Sequence, residues 1–151
     1  MAVALLPSEV GVYLRKQIPI SAAMGVEVLG CSAERVRLQA PLSANLNHRS
    51  TVFGGSASAV AILAAWPWLH FALRSAGHPC RVVIQRNEMK YLTPIDDDFT
   101  AECDALSPAD FDKLLRTLRR YGKARASLEV RLFLRGRVVA RFSGDYVAMT
   151  M

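Results

Sequence analysis

The chain switches between two hydrophobic periods, and each stretch of one period predicts an element. Within Glu9 to Gln17, Val10, Tyr13 and Leu14 fall at helical spacing, which predicts a short amphipathic helix ending near Pro19. Met24, Val26 and Val28, then Val36, Leu38 and Ala40, follow a period of two. Arg35, Arg37 and Gln39 take the opposite face of the second run, and Ser32 to Glu34 is short enough to be a hairpin connection. The polar, irregular loop Pro41 to Phe53 leads through Gly54 and Gly55 into a long apolar segment read as a helix to about Ser75, with Pro67 placed to kink or split it.

After Gly77 to Pro79 the pattern turns strand-like again over Arg81 to Leu92. Pro94 with Asp96, Asp97 and Asp98 marks a turn before a further strand from Phe99 to Ala105. Ser107, Pro108 and Asp110 make a helix start: a capping hydroxyl, a proline at the first helical position, an acid in the first turn. Phe111, Leu114, Leu115 and Leu118 share one face of that helix, and Arg116, Arg119 and Arg120 crowd its end before Gly122. Leu128, Val130, Leu132 and Leu134 then alternate with polar residues up to an Arg135-Gly136 turn, and Val138, Ala140, Phe142, Gly144 and Tyr146 continue the alternation in a last strand. Strands paired by hairpins around one apolar helix describe an α+β fold, with an antiparallel sheet wrapped on that helix. The expected organisation is a single domain over residues 1–151, its segment 1–20 packing helically on the edge.

Length and composition agree with this: 151 residues, 52% hydrophobic, suit one core and leave little for a second. From Ser50 to Leu73 no residue is formally charged, apart from any proton on His70, and that length matches a bilayer crossing. Thr51, Gly54, Gly55, Ser56, Ser58, Pro67 and His70 interrupt it, and its neighbours are patterned as water-facing strands, so a helix buried inside protein is the better reading and no membrane partner is expected. Cys31, Cys80 and Cys103 are odd in number and lack CxxC spacing, which points to packed, reduced thiols, no metal site and a reducing compartment. Met1 to Pro7 has no basic start and only a short apolar run broken by proline; with the thiols this predicts a cytoplasmic protein. The net charge of +6 favours anionic partners. The cations are scattered and aromatics make up only 8%, so a phosphate-bearing small molecule is preferred over nucleic acid.

The most informative segment is the loop into the long helix, Asn45-Leu-Asn-His-Arg-Ser-Thr-Val-Phe-Gly-Gly-Ser56. Two glycines at a helix start let a ligand approach the backbone, where free N–H groups and the positive helix end stabilise a developing oxyanion. Glycines also stand at such places because a tight turn or close helix packing requires them, and residues alone leave both readings open.

That segment resembles the signature of a bacterial hotdog-fold thioesterase family, which also occurs fused behind an N-acetyltransferase domain. The resemblance extends over Val82 to Ile84, Lys90-Tyr-Leu-Thr-Pro94, Asp98 to Ala101, Gly122 to Arg125 and Gly144 to Ala148, and so over most of the chain from about Ile20. It implies a hotdog subunit that pairs edge to edge into a homodimer, which in turn can assemble to a homotetramer. Acyl-CoA or acyl-carrier thioester sites would lie at the subunit interface, with coenzyme A as part of the substrate and no separate cofactor.

The resemblance also implies a polarising pair. Asn47 and Gly54 occupy the positions of the asparagine and the first glycine N–H that related enzymes set beside the thioester, and Gly55 offers a second amide. Two departures stand out: the relatives' histidine before the glycines is Phe53, and their helical carboxylate falls on Ile62. The nearest titratable replacement is His48, either a base or a solvated loop histidine. Asn45, Thr51, Phe53 and Ser56 complete the substrate-binding candidates, with Thr51 and Ser56 able to orient water and Ser56 also suited to cap the helix. The resemblance sets Lys90, Lys123 and Arg125 near the site rim, where they would meet pantetheine-linked phosphates; singly, each also reads as a strand residue facing water. His70 and His78 read as structural or solvated, Trp66 and Trp68 as core or interface. The leading expectation is thioester hydrolysis. The alternative is a non-catalytic acyl-CoA binding protein, motivated by the missing carboxylate, and a hydratase would need a His and Asp pair that the helix does not supply.

Overall fold

The computed structural model describes residues 5–151; the expected helical start over residues 1–4 lies outside them. The elements run α1 (Pro7–Gln17), α2 (Ile20–Ala23), β1 (Glu27–Cys31), β2 (Arg35–Ala40), α3 (Gly54–Ser75), β3 (Cys80–Tyr91), β4 (Phe99–Asp104), α4 (Pro108–Tyr121), β5 (Lys123–Leu134) and β6 (Arg137–Thr150). Six strands form one sheet in the order β1-β2-β4-β5-β6-β3, every neighbouring pair antiparallel. The sheet wraps around α3, which touches β2, β3, β4, β5 and β6.

Alternation fixes which face of the sheet is inside. Every even residue of β5 from Ala124 to Leu134 is buried, and the odd residues from Lys123 to Glu129 are exposed. Ala140, Phe142, Gly144, Tyr146 and Ala148 continue the inner face across β6. A shift of one residue would turn both sets outward, so the buried face pins the register. Twelve residues of α3 are buried, among them Leu63, Trp68, Leu69 and Leu73. The helix long and apolar enough to cross a membrane is therefore the hub of the core.

Pro67 neither splits nor ends α3, which runs unbroken from Gly54 to Ser75. Proline removes the N–H that would reach the carbonyl of Leu63. The neighbouring turns are anchored from the sheet side: the Tyr146 hydroxyl donates to the carbonyl of Ile62 at 2.8 Å, Trp66 Nε1 to that of Val82 at 2.9 Å, and Trp68 Nε1 to that of Ala33 at 3.0 Å. On the helix's other flank, the ring of Tyr13 in α1 stacks on Trp66 and on buried His70. Burial and the nearby Arg74 push the imidazole of His70 down to about 4, so it is neutral at physiological pH. The single turn α2 had no signal in the sequence, because four residues carry no period.

The sheet ends differently on its two sides. Beyond β1, Leu5 bridges to Cys31. Beyond β3, twelve residues long, no further strand follows among the described residues, and within them β3 is bonded only to β6.

Candidate active site

The loop 41–53 is built by asparagines. Asn45 is almost completely buried, and its Nδ2 donates to the carbonyls of Met24 at 2.9 Å and Pro41 at 2.7 Å, while its own carbonyl accepts the Phe53 N–H at 2.8 Å. Two residues on, Asn47 closes a turn on itself. Its Oδ1 accepts the N–H groups of Arg49 and Thr51, its Nδ2 donates to Thr51 Oγ1 at 2.8 Å, and its N–H donates to the Thr51 carbonyl at 2.8 Å. Ser50, with φ of 61°, supplies the left-handed residue this turn needs. A bridge between Leu46 and Val52 seals the turn, and the Val52 N–H donates to the carbonyl of Ile95.

This frame delivers Phe53 and the two glycines as the start of α3. The N-cap is Phe53, in extended conformation and without a side-chain cap. Its carbonyl accepts the N–H groups of Ser56 at 2.9 Å and Ala57 at 3.1 Å. The N–H groups of Gly54 and Gly55 have no acceptor among the described residues. Two bare donors thus sit at the positive end of a 22-residue helix whose first turn holds no acid to neutralise them. Around them Leu46, Phe53, Tyr91 and Leu92 are all more than half exposed, an apolar rim of the kind that marks a ligand or partner contact.

The structure redistributes several residues singled out above. Asn45 is buried within the loop, its Nδ2 donating to two backbone carbonyls. The side chain of Asn47 bonds within its own turn, to Thr51 and, at 3.5 Å, to the carbonyl of Val52. Ser56 is the third residue of the helix and does not cap it. His48 is exposed, with no side-chain hydrogen bond among the described residues. Lys90 points to the outer face of the sheet, where it stands beside Arg141 and lines an open groove of about 660 Å³ with Glu88, Glu129 and Arg131. Lys123 and Arg125 are also on the outer face. They lie toward the opposite end of β5 from the strand level of Tyr91, Ala140 and Leu132, roughly 30 Å away for Lys123 and roughly 23 Å for Arg125 at about 3.3 Å per residue. Within one subunit, then, Lys123 and Arg125 lie toward the far end of the sheet from Gly54, and Lys90 on the outer face beside Arg141. Gly54, Gly55 and Phe53 are the candidates brought together.

One residue of the site was overlooked. Tyr91, the last of β3, donates its hydroxyl to the carbonyl of Gly54 at 2.8 Å and holds the first turn of α3 to the sheet. The only hint was its place in the segment Lys90 to Pro94. The cysteines play no part in the site: all three are buried, and burial pushes the thiols of Cys31 and Cys103 up to about 11 and about 12, far from a nucleophilic thiolate at neutral pH.

Residues 8–150 match a family described as "Putative thioesterase (yiiD_Cterm)". Among solved structures, the chain is similar to a protein of unknown function from Chlorobaculum tepidum, at 27% identity and a TM-score of 0.88, covering 97% of this chain and 98% of that one. It is also similar to a "putative thioesterase" from Shewanella oneidensis, at 26% identity and a TM-score of 0.83, covering 95% and 96%. A thioesterase from Haemophilus influenzae shares the fold at 10% identity and a TM-score of 0.77, over 99% of this chain and 94% of that one. The sheet wrapped on α3 is the hotdog fold, and the chain belongs to this thioesterase family.

Proposed function

We propose that the chain hydrolyses an acyl-CoA or acyl-carrier thioester at the glycine-led start of α3. The supporting observation is the pair of unpartnered amides of Gly54 and Gly55, which can hold the thioester oxygen as it becomes an oxyanion. Water attacks the carbonyl carbon, the C–S bond breaks, and the products are a carboxylic acid and a free thiol. His48, on the same loop, takes the proton from water and passes it to the departing sulfur. Asn47 acts as a positioning residue, because its turn delivers Phe53 and the glycines.

The open edge of β3 supports a homodimer formed edge to edge, since a long exposed strand left unpaired invites uncontrolled association. Antiparallel pairing of β3 with the same strand of a second copy would place Tyr91 of one subunit beside the partner's β3 start. That brings the partner's β5 start, with its cations, toward this site, an arrangement suited to the phosphates of coenzyme A. It would also reconcile Lys123 and Arg125 with the role implied by resemblance.

Thiol release measured over short, medium, long and aromatic acyl-CoAs tests the reading. The wild type is expected to turn over at least one class, and Asn47→Ala to lose about 10² of that rate as the glycines lose their frame. A second reading, a non-catalytic acyl-CoA binder, draws on the lack of any carboxylate on α3. Tight calorimetric binding with no thiol release would favour it.

A further inference from the structure

We infer that Tyr91 is a positioning residue for thioester hydrolysis, acting through the Gly54–Gly55 peptide bond. The inference rests on the reading of the two glycine amides as the oxyanion site. The carbonyl that Tyr91 grips belongs to the same peptide unit as the Gly55 N–H. A hydrogen bond into a peptide carbonyl draws electron density toward its oxygen and makes the N–H of that unit a stronger donor, the cooperative effect seen along hydrogen-bonded chains. Helix geometry already brings the N–H of Ser58 to that carbonyl, so the hydroxyl is a second donor on one oxygen. It is not required to satisfy the backbone. More than half of Tyr91 is exposed, and its hydroxyl is therefore a weak contributor to folding.

The identity of residue 54 follows from the same contact. A Cβ at Gly54 would lie 3.3 Å from the Tyr91 hydroxyl, tighter than ordinary packing, so a side chain there would press on the hydroxyl that grips its own carbonyl. Tyr91 also lies at the end of the edge strand β3 and on the apolar rim of the site. It fixes the plane of the Gly54–Gly55 peptide against the sheet and thereby the direction in which the Gly55 amide points.

Tyr91→Phe keeps the ring and removes only the hydroxyl. The expected result is a fall in kcat of about tenfold, less than the loss of a whole oxyanion donor, with KM and the thermal midpoint unchanged. The amide proton of Gly55 should move upfield in the NMR spectrum as its hydrogen-bonding peptide loses polarisation. Wild-type kcat in an active enzyme, or a kcat loss accompanied by an equal fall in stability, overturns the inference. Should the wild type release no thiol from any acyl-CoA, the hydrolysis reading fails and the amide shift alone decides: an unmoved Gly55 resonance in Tyr91→Phe overturns the polarisation.

Discussion

Two helix starts in this chain are built in opposite ways. At α4, Ser107 accepts the Asp110 N–H through its hydroxyl, Pro108 has no N–H to leave unpaired, and Asp110 sets a negative charge on the positive helix end. Gly122 closes the far end in the left-handed conformation, φ 71°. Each device of a stable terminus is present. At α3, by contrast, the cap position holds Phe53, the first two residues are glycines, and neither a hydroxyl nor a carboxylate answers the amides. A helix start left bare in a chain that can cap one fully leaves two amides free for the proposed oxyanion, and the Asn45 and Asn47 turns lead the chain into it.

The contrast can be broken by exchange. Phe53→Ser gives α3 the cap that α4 has, and its hydroxyl would compete with substrate for the amides. Thiol release should fall roughly tenfold in kcat while chemical denaturation shows a gain of about 1 kcal/mol. A stabilised variant with undiminished kcat would mean that the amides are not used. The reciprocal change, Ser107→Ala, removes the α4 cap and should cost about 1 kcal/mol in the same denaturation assay. Turnover should stay at the wild-type level, because α4 lies away from the glycines. A matching loss of activity there would show that helix termini in this fold respond to general loosening, and the comparison would lose its force.

The same contrast explains what was legible in the sequence. The whole of α4 could be read because its signals are local: Ser107, Pro108, Gly122 and a leucine face all act within their own segment. The β5-β6 hairpin was equally plain, since alternation and the Arg135-Gly136 turn need no distant partner. Of the two outcomes offered for Pro67 the split does not occur, and the contacts that hold α3 around it come from Tyr146 and Val82, remote in sequence and invisible to a local rule. The glycine pair marked the start of α3, but the asparagines beside it carry side chains whose acceptors and donors are set by the turn they fold into. Composition could not show that Asn47 is consumed by Thr51, nor that Asn45 is buried. Where Lys90, Lys123 and Arg125 lie was illegible for a related reason: a strand residue's face follows from the pleat, but the end of the sheet that it occupies follows only from the pairing of all six strands.

The most direct test deletes a single hydrogen. Residue 54 is the first of α3, where proline is favoured, and Phe53 before it already has the extended backbone that a following proline requires, with ψ of 131°. Gly54→Pro therefore removes one of the two bare donors at a position that tolerates proline; because the added Cβ also crowds the Tyr91 hydroxyl, the variant is read against Gly54→Ala, which adds the same Cβ and keeps the N–H. Thiol release and thermal unfolding are measured on the same preparation. The account predicts a thermal midpoint at or above that of the wild type and a kcat lower by 10² or more, the usual cost of one oxyanion donor. A folded Gly54→Pro protein that turns over acyl-CoA at the wild-type rate would contradict it.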